Sequence, residues 1–289
     1  MARSLVFDAL RSVELGGGKV LAVDVHPQRP EVAVGGRDGL VVILSAETGE
    51  VLHRLRGHVD FVSSLAYSPD GELLVSSGKD TSLRVWDAKT GEFRVDWAGI
   101  VGAPASKTLR GQMLKSSRSG HTMTTLSLHW SARGELASGG QDNLVKLWQS
   151  GTVLRTFDWH SRPVTSVRFR PGTSELFSAS RDLTVRRWNS ETGAMINKYG
   201  GHEDEIECFL WLDEQRFVSG DLRGDVLLHE LEQEKPLATL WRAGTAVRTA
   251  LALHEGSTLL LGLESGDLVA LDTEPRPRPL EEPVLARTE

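Results

Sequence analysis

Apolar and polar residues alternate in short runs along most of the chain. Examples are FVSSLAYS (61–68), VTSVRFR (164–170) and IECFLWL (206–212). An alternation with a period of two is typical of β-strands that bury one face, and Pro, Gly and Asp residues that favour turns separate the runs. No stretch shows the period of an amphipathic helix, so the sequence predicts an all-β protein.

The alternating runs recur at a nearly constant interval. Measured from Trp86, the intervals between equivalent positions are 42, 62, 40, 41 and 42 residues, and an insertion over residues 98–120 accounts for the long one. Each unit holds four short strands, and many such units fit sheets packed around an axis better than one flat sheet. We therefore expect six units. The equivalent positions are Leu44, Trp86, Trp148, Trp188, His229 and Leu271.

The unit over residues 57–91 shows the repeat most completely. His58 follows a Gly at its start, Asp80 lies 22 residues later in a turn, and Trp86-Asp87 ends the third run. These residues at these spacings resemble the WD-repeat β-propeller family, and the resemblance covers about residues 19–272. It implies a β-propeller of four-stranded antiparallel blades, with six blades closed by an N-terminal strand. A seven-bladed ring and an open six-bladed ring are the alternatives.

The resemblance also implies a structural tetrad in three units. In this arrangement an Asp accepts a hydrogen bond from a His, the His contacts a Ser, and the Ser contacts the indole N–H of a Trp. Each buried polar group then has a partner, and the Ser faces the indole instead of an open cleft, so the tetrads are structural and not catalytic. The matching residues are His58, Ser76, Asp80 and Trp86; His121, Ser138, Asp142 and Trp148; and His160, Ser178, Asp182 and Trp188.

The other three units depart from this pattern, so we expect the blades to be held most firmly in the middle of the chain. The first unit keeps Asp38 but has Gly16, Val34 and Leu44 at the His, Ser and Trp positions. The fifth keeps His202 and Ser219 but has Arg223 at the Asp position and His229 at the Trp position, and the sixth has Ser265 and Leu271 at these positions.

The ends of the chain bear on how the ring closes. Residues 11–15 are interpreted as the strand that joins the three strands of 246–272; residues 278–289 or the strands of a partner are alternatives. Residues 1–272 then form a single propeller domain that carries the insertion 98–120, and residues 273–289 form a Pro-rich tail.

Composition argues against several classes of function. The net charge of -6 opposes bulk attraction to nucleic acid or to an anionic membrane, and a single cysteine, Cys208, excludes an internal disulfide and a Cys pair for zinc. No apolar run approaches the ~18 residues of a membrane helix, and the N-terminus lacks the apolar region of a signal peptide, so we expect a cytoplasmic protein. No catalytic or phosphate-binding motif occurs, so we expect neither enzymatic activity nor a cofactor.

Binding is the function that the resemblance implies. In the family, partners dock on the top face, at the turn before the Asp and at the start of the first strand. We therefore expect a scaffold that binds protein partners there. Because Arg can hold an anionic oxygen pair bidentately, the specific hypothesis is that this face binds an acidic or phosphorylated segment. The residues concerned are Arg37, Phe61, Lys79, Gln141, Arg162, Arg181 and Arg223, with Lys107 and Arg110 of the insertion.

Two other functions remain as alternatives. An enzyme acting at the central channel would need converging carboxylates or metal ligands, and no such cluster is visible in the sequence. Nucleic-acid binding through the basic insertion 98–120 is disfavoured, because aromatic and basic residues are not interleaved there. A small-molecule substrate and a membrane partner are not expected.

Overall fold

The computed structural model describes residues 19–98, 120–242, 244–253 and 258–273. Within these ranges all regular secondary structure is β-strand, and the strands form six antiparallel sheets. In each sheet the strands lie side by side in the order in which they occur along the chain. The all-β prediction is confirmed.

Five sheets have four strands each, and the sixth has three described strands. The first blade contains β1 (Val20–Val25), β2 (Glu31–Gly36), β3 (Val41–Ser45) and β4 (Val51–Leu55). The second contains β5 (Val62–Tyr67), β6 (Leu73–Gly78), β7 (Leu83–Asp87) and β8 (Phe93–Ala98). The third contains β9 (Thr125–Trp130), β10 (Leu136–Gly140), β11 (Val145–Gln149) and β12 (Thr152–Phe157).

The remaining three blades follow the same plan. The fourth contains β13 (Val164–Phe169), β14 (Glu175–Ser180), β15 (Val185–Asn189) and β16 (Met195–Tyr199). The fifth contains β17 (Ile206–Trp211), β18 (Arg216–Asp221), β19 (Asp225–Glu230) and β20 (Ala238–Arg242). The sixth contains β21 (Val247–Leu253), β22 (Thr258–Leu263) and β23 (Leu268–Asp272).

The first strands of the six blades surround a central channel. Strands β1, β5, β9, β13, β17 and β21 all contribute residues to the wall of this cavity, whose volume is about 560 Å³. From β1 to β21, each first strand also packs against the first strand of the following blade. The protein is therefore a six-bladed β-propeller, as predicted.

The six repeat positions are structurally equivalent. Each lies on the third strand of its blade, directly opposite an apolar residue of the second strand. In blades two to four a Trp faces a Leu, and all three indoles are at most 2% exposed. The pairs are Val32 and Leu44, Leu74 and Trp86, Leu136 and Trp148, Leu176 and Trp188, Phe217 and His229, and Leu259 and Leu271.

The hydrophobic core lies between neighbouring blades. At the first interface Ala33 and Ile43 of blade one pack with Val62, Leu65 and Tyr67 of blade two. Comparable clusters fill the following interfaces. Burial of one such aliphatic side chain contributes about 1.5–3 kcal/mol, so each sheet is stabilised largely by the sheets beside it.

In the described part of the chain, no such cluster joins blade six to blade one. Val20, Val23 and Val25 of β1 are 51, 57 and 61% exposed, whereas the residues in the same register of β5 are at most 6% exposed. Among the described residues, nothing covers the face of β1 that is turned towards the last blade. The predicted closing strand 11–15 and the alternative segment 278–289 lie outside the described residues.

Candidate functional site

The ring has two faces, which the strand connections define. The top face carries the turns between second and third strands and the segments that lead into the first strands. The bottom face carries the turns between first and second strands and those between third and fourth strands. The tetrad Asp residues lie in the second-to-third turns, and so do most of the predicted binding residues.

The tetrad of blade two has the geometry that the sequence predicts. Nδ1 of His58 lies 2.9 Å from Oδ2 of Asp80, and its Nε2 lies 2.7 Å from Oγ of Ser76. The indole of Trp86 donates to the same Oγ at 2.8 Å. Asp80 also accepts a hydrogen bond from the backbone N–H of Val59, so the network fixes the segment before β5 against the middle of the sheet.

Blades three and four repeat this network. His121 lies 2.7 Å from the carboxylate of Asp142, and His160 lies 2.8 Å from that of Asp182. The distances from imidazole Nε2 to Ser Oγ are 2.8 and 2.7 Å, and both indoles donate to the Ser Oγ at 2.8 Å. The remaining four residues are Ser138, Trp148, Ser178 and Trp188.

Burial and hydrogen bonding oppose each other at the tetrad carboxylates. Burial would raise the pKa of Asp80, but the hydrogen bond and the attraction from His58 lower it below its ordinary value. The pKa values of Asp142 and Asp182 are lowered in the same way by His121 and His160. These carboxylates therefore stabilise the fold at neutral pH and lose that contribution as the pH falls through their lowered pKa values.

The fifth blade contains a complete hydrogen-bond network, although Arg223 occupies the turn position that the tetrad Asp has in blades two to four. The carboxylate that contacts His202 is that of Asp221, at 2.7 Å from Nδ1. Asp221 ends β18, two residues after Ser219, in the place that Gly140 has in blade three. A Cβ atom at Gly140 would point at the imidazole of His121, which explains why an Asp side chain at this position reaches the His.

His229 replaces the indole in this network. Its Nε2 lies 2.9 Å from Oγ of Ser219, which also lies 2.7 Å from Nε2 of His202. Nδ1 of His229 is buried and has no partner among the described residues, so the proton belongs on Nε2, where it can be donated to Ser219. Burial, with a smaller effect of His202, lowers the pKa of His229 to about 3, which keeps the ring neutral.

The residue after the tetrad Asp has a left-handed backbone in blades two to four. The φ angles are 59° at Thr81, 67° at Asn143 and 70° at Leu183. Asn tolerates this region, but a β-branched Thr and a Leu are strained there. The strain accompanies a turn in which the carboxylate of Asp80 accepts the N–H of Ser82.

The predicted cations of blade four lie on the top face but are paired with carboxylates. Arg162 and Arg181 both contact Glu205, from the start of the neighbouring blade, at 2.6 and 3.5 Å. Alternating Arg and Glu side chains form a chain of ion pairs that continues to blade six, with neighbouring side chains 2.6–3.5 Å apart. In order, the members are Arg162, Glu205, Arg181, Glu207, Arg248 and Glu264. Positive charge on this part of the face is therefore largely compensated.

The top face of blades one to three is less compensated. Arg37 is exposed, and no carboxylate among the described residues pairs with it. Lys79 is also exposed; it lies 3.4 Å from Asp60 and 5.7 Å from the centre of the Phe61 ring. Gln141 occupies the corresponding turn of blade three and brings no charge.

Three other predicted binding residues do not join this group. Arg223, on blade five, pairs with Glu203. Lys107 and Arg110 of the insertion lie outside the described residues. The ends of the insertion are described: β8 ends at Ala98, and His121 begins the next tetrad, both on the top face.

Other kinds of site would need features that the described residues do not have. No cluster of His, Cys, Asp and Glu among them could hold a metal ion. None of the described segments is a helix long and apolar enough to cross a membrane. Burial raises the pKa of the Cys208 thiol to about 12, so the thiol stays protonated and has little nucleophilic character at neutral pH.

Six radial sheets, three of which carry a complete His-Ser-Asp-Trp network, define this protein as a propeller with WD-type repeats. The family model described as WD domain, G-beta repeat matches residues 49–87, 112–149 and 151–189, which end in the three blades that carry a tetrad Trp. These three segments of the chain are therefore WD repeats.

Several curated proteins are similar to this chain over most of its length. Nuclear distribution protein PAC1 of Coccidioides posadasii is 28% identical over 204 residues, which are 66% of this chain and 42% of that protein. U3 snoRNP-associated protein-like EMB2271 of Arabidopsis thaliana is 29% identical over 218 residues, or 73% of this chain and 44% of that protein. This chain therefore spans less than half the length of the curated relatives it matches.

A solved structure supports the fold independently. The structure described as U3-55K superposes with a TM-score of 0.74 at 20% sequence identity, and the match covers 92% of this chain and 80% of that chain. At this level of identity the likeness establishes the fold of the chain.

Proposed function

We propose that this protein is a non-catalytic scaffold whose propeller binds protein partners on the top face, and that blades one to three there bind an acidic or phosphorylated segment. The observation that carries the proposal is Arg37, an exposed guanidinium without a carboxylate partner among the described residues. Lys79, in the corresponding turn of the neighbouring blade, adds a second exposed cation.

The surroundings favour an anionic partner at this part of the face. Among the described residues, Asp60 supplies the one carboxylate that Lys79 contacts, and this exposed pair is worth about 0.2–1 kcal/mol, so a stronger anion could displace it. The insertion 98–120 joins blades two and three, and its sequence carries Lys107 and Arg110. The names of the relatives, which refer to nuclear distribution and to association with a U3 snoRNP, also support a role in assemblies.

Peptide binding to charge-reversed variants tests the proposal. Fluorescence anisotropy would compare an Asp/Glu-rich peptide, a phosphoserine peptide and a peptide with Asn and Gln in place of the acids. We expect R37E/K79E to weaken binding of the anionic peptides about tenfold, because two ion pairs become repulsive contacts. Deletion of residues 98–120 should weaken it further.

The matched control reverses two charges on the bottom face. Lys89 and Arg133 are exposed in bottom-face turns, and Arg133 pairs with the exposed Glu191, so K89E/R133E changes the net charge by the same amount as R37E/K79E without touching the top face. Equal loss of binding in K89E/R133E and R37E/K79E would show a nonspecific charge effect. Binding of both anionic peptides that R37E/K79E leaves unchanged would refute the proposed site. A cytoplasmic location is a further proposal, which imaging of the tagged protein would test.

A further inference from the structure

A groove of about 410 Å³ lies on the bottom face, where the first strands of blades three, four and five end. His129 and Trp130 come from blade three, Arg168 and Pro171 from blade four, and Trp211 from blade five. Within the described part of the chain, no Asp or Glu lines this groove. Blade four, which carries Arg168, lies between the blades that supply the two indoles.

The charge of Arg168 is not compensated in this groove. Its Nη1 donates to the carbonyl of the preceding residue, Val167, at 3.0 Å, and no described carboxylate forms an ion pair with it. Arg168 also lines the central channel, where Asp24 attracts it without forming an ion pair. A partly buried guanidinium has five N–H donors and cannot lose its charge, so it favours an anion that approaches through the groove.

Two neutral N–H donors accompany this charge. Nδ1 of His129 accepts the backbone N–H of Phe169 at 3.2 Å, which leaves the proton of this neutral imidazole on Nε2. The indole Nε1 of Trp211 is buried and has no acceptor among the described residues. A buried donor without an acceptor costs about 1–3 kcal/mol, which an acceptor supplied by a ligand would recover.

The balance of charge favours a monoanion. The second Arg of the groove, Arg170, already contacts the carboxylate of Glu175 at 3.0 Å and the carbonyl of Glu214 at 2.8 Å. One uncompensated positive charge therefore remains, which suits a carboxylate better than a phosphate dianion. Trp130 and Trp211 on either side of Arg168 provide apolar walls for the residues next to such a carboxylate.

We propose that this groove is a second binding site, which takes an extended segment of a partner protein with a Glu or Asp side chain between two apolar residues. The carboxylate accepts hydrogen bonds from Arg168, His129 and Trp211, and the flanking apolar side chains pack on the indoles. The site lies on the opposite face from the proposed top-face site and shares no residue with it.

The indole N–H of Trp211 gives a direct readout. The chain has eight Trp residues, and W211F assigns the relevant indole signal in a ¹H–¹⁵N spectrum. On titration with the peptide acetyl-Leu-Glu-Leu-amide, we expect this signal to move downfield and to saturate, because a free N–H becomes hydrogen-bonded. Acetyl-Leu-Gln-Leu-amide, which is neutral and of the same shape, should bind at least tenfold more weakly.

Two variants separate the groove from a general effect on folding. R168Q should weaken binding of the Glu peptide at least tenfold. W211F should weaken it severalfold and is expected to fold, because Phe169 has the same position in blade four. R37E/K79E should leave this binding unchanged, so failure of one proposed site does not imply failure of the other.

Three results would overturn the proposal. The first is equal binding of the Glu and Gln peptides. The second is unchanged Glu-peptide affinity in both R168Q and W211F, with the other indole signals in their wild-type positions. The third is a shift of the Trp211 signal with inorganic phosphate at lower concentration than with the Glu peptide, which would identify a phosphate site instead.

Discussion

The fifth blade pairs Phe217 with His229 where blades two to four pair a Leu with a Trp. The rings of Phe217 and His229 are stacked, with centroids 4.8 Å apart and an angle of 8° between their planes. Phe217, which is larger than the corresponding Leu, thus fills space that an indole fills in blades two to four. We predict that F217L and H229W each destabilise the protein and that the double variant recovers most of the loss.

The magnitudes follow from burial. Phe217 is 0% exposed and His229 is 1% exposed. An indole placed against an unchanged Phe217 overpacks the site, at a cost of about 1–3 kcal/mol. F217L alone leaves a cavity and should cost about 1–3 kcal/mol, less than the 3–5 kcal/mol of truncation to Ala. In the double variant the indole N–H can donate to Ser219, so we expect a favourable coupling of about 1–3 kcal/mol.

H229W, alone or in the double variant, should also change the pH dependence of stability. The pKa of His229 is about 3 in the folded state, below its value of about 6.5 in the unfolded chain, so the unfolded state binds more protons between these values. Stability is therefore retained above about pH 6.5 and lost as the pH falls. Between about pH 7 and about pH 5.5 this one group accounts for a loss of about 1.3 kcal/mol, which the double variant should not show.

Urea denaturation followed by far-UV circular dichroism, at both pH values, measures all four proteins of the cycle. The wild type and F217L should lose more stability on acidification than H229W and the double variant. Additive effects of the two substitutions would refute the packing argument. An equal acid-induced loss in the wild type and the double variant would refute the assignment of a lowered pKa to His229.

Three further substitutions, one of them a control, test the network and the turn of blade two. S76A should cost about 2–5 kcal/mol in denaturant unfolding, because it leaves both His58 and the indole of Trp86 without a buried partner. The buried Oγ of Ser77 has no partner among the described residues, so S77A should change the free energy of unfolding by less than about 0.5 kcal/mol. Similar losses in both variants would contradict the network. T81N should raise stability by about 0.5–1 kcal/mol and the thermal midpoint with it, because Asn relieves the left-handed strain of Thr; an unchanged or lower midpoint would show that the turn is not strained.

The frame of the propeller follows from the sequence because its determinants are local. A period of about 41 residues and the His, Asp and Trp spacings within a unit locate the strands and the network of Trp86 correctly. Leu44 and Leu271 share its register although neither can donate a hydrogen bond, because alternation alone places them on the third strand.

The role of Asp221 did not follow from the repeat, because counting residues from one blade to the next places Arg223 at the Asp position of blade five. The carboxylate reaches His202 from the end of a strand in blade five and from a turn in the other blades. A signal was present: the residue two positions after the tetrad Ser is Gly78 or Gly140 in blades two and three and Asp221 in blade five. A side chain at that position points into the network.

The properties of the two faces could not be obtained from the sequence. Arg181 pairs with Glu205 and Glu207 of the following blade, and these ion pairs cannot be recognised from the sequence around Arg181. The bottom groove combines single residues of three blades, such as Arg168 and Trp211, whose proximity depends on how the sheets pack around the axis.

The exposed face of β1 has a consequence for cooperativity. In a chain of repeats, each unit gains most of its stability from nearest neighbours, so a unit with one covered side opens more readily than a unit with two. Among the described residues, Val20, Val23 and Val25 of blade one are exposed, and Val34 and Leu44 occupy the places of the tetrad Ser and Trp. The amide protons of blade one should therefore exchange through local opening before the global unfolding that governs blades two to four.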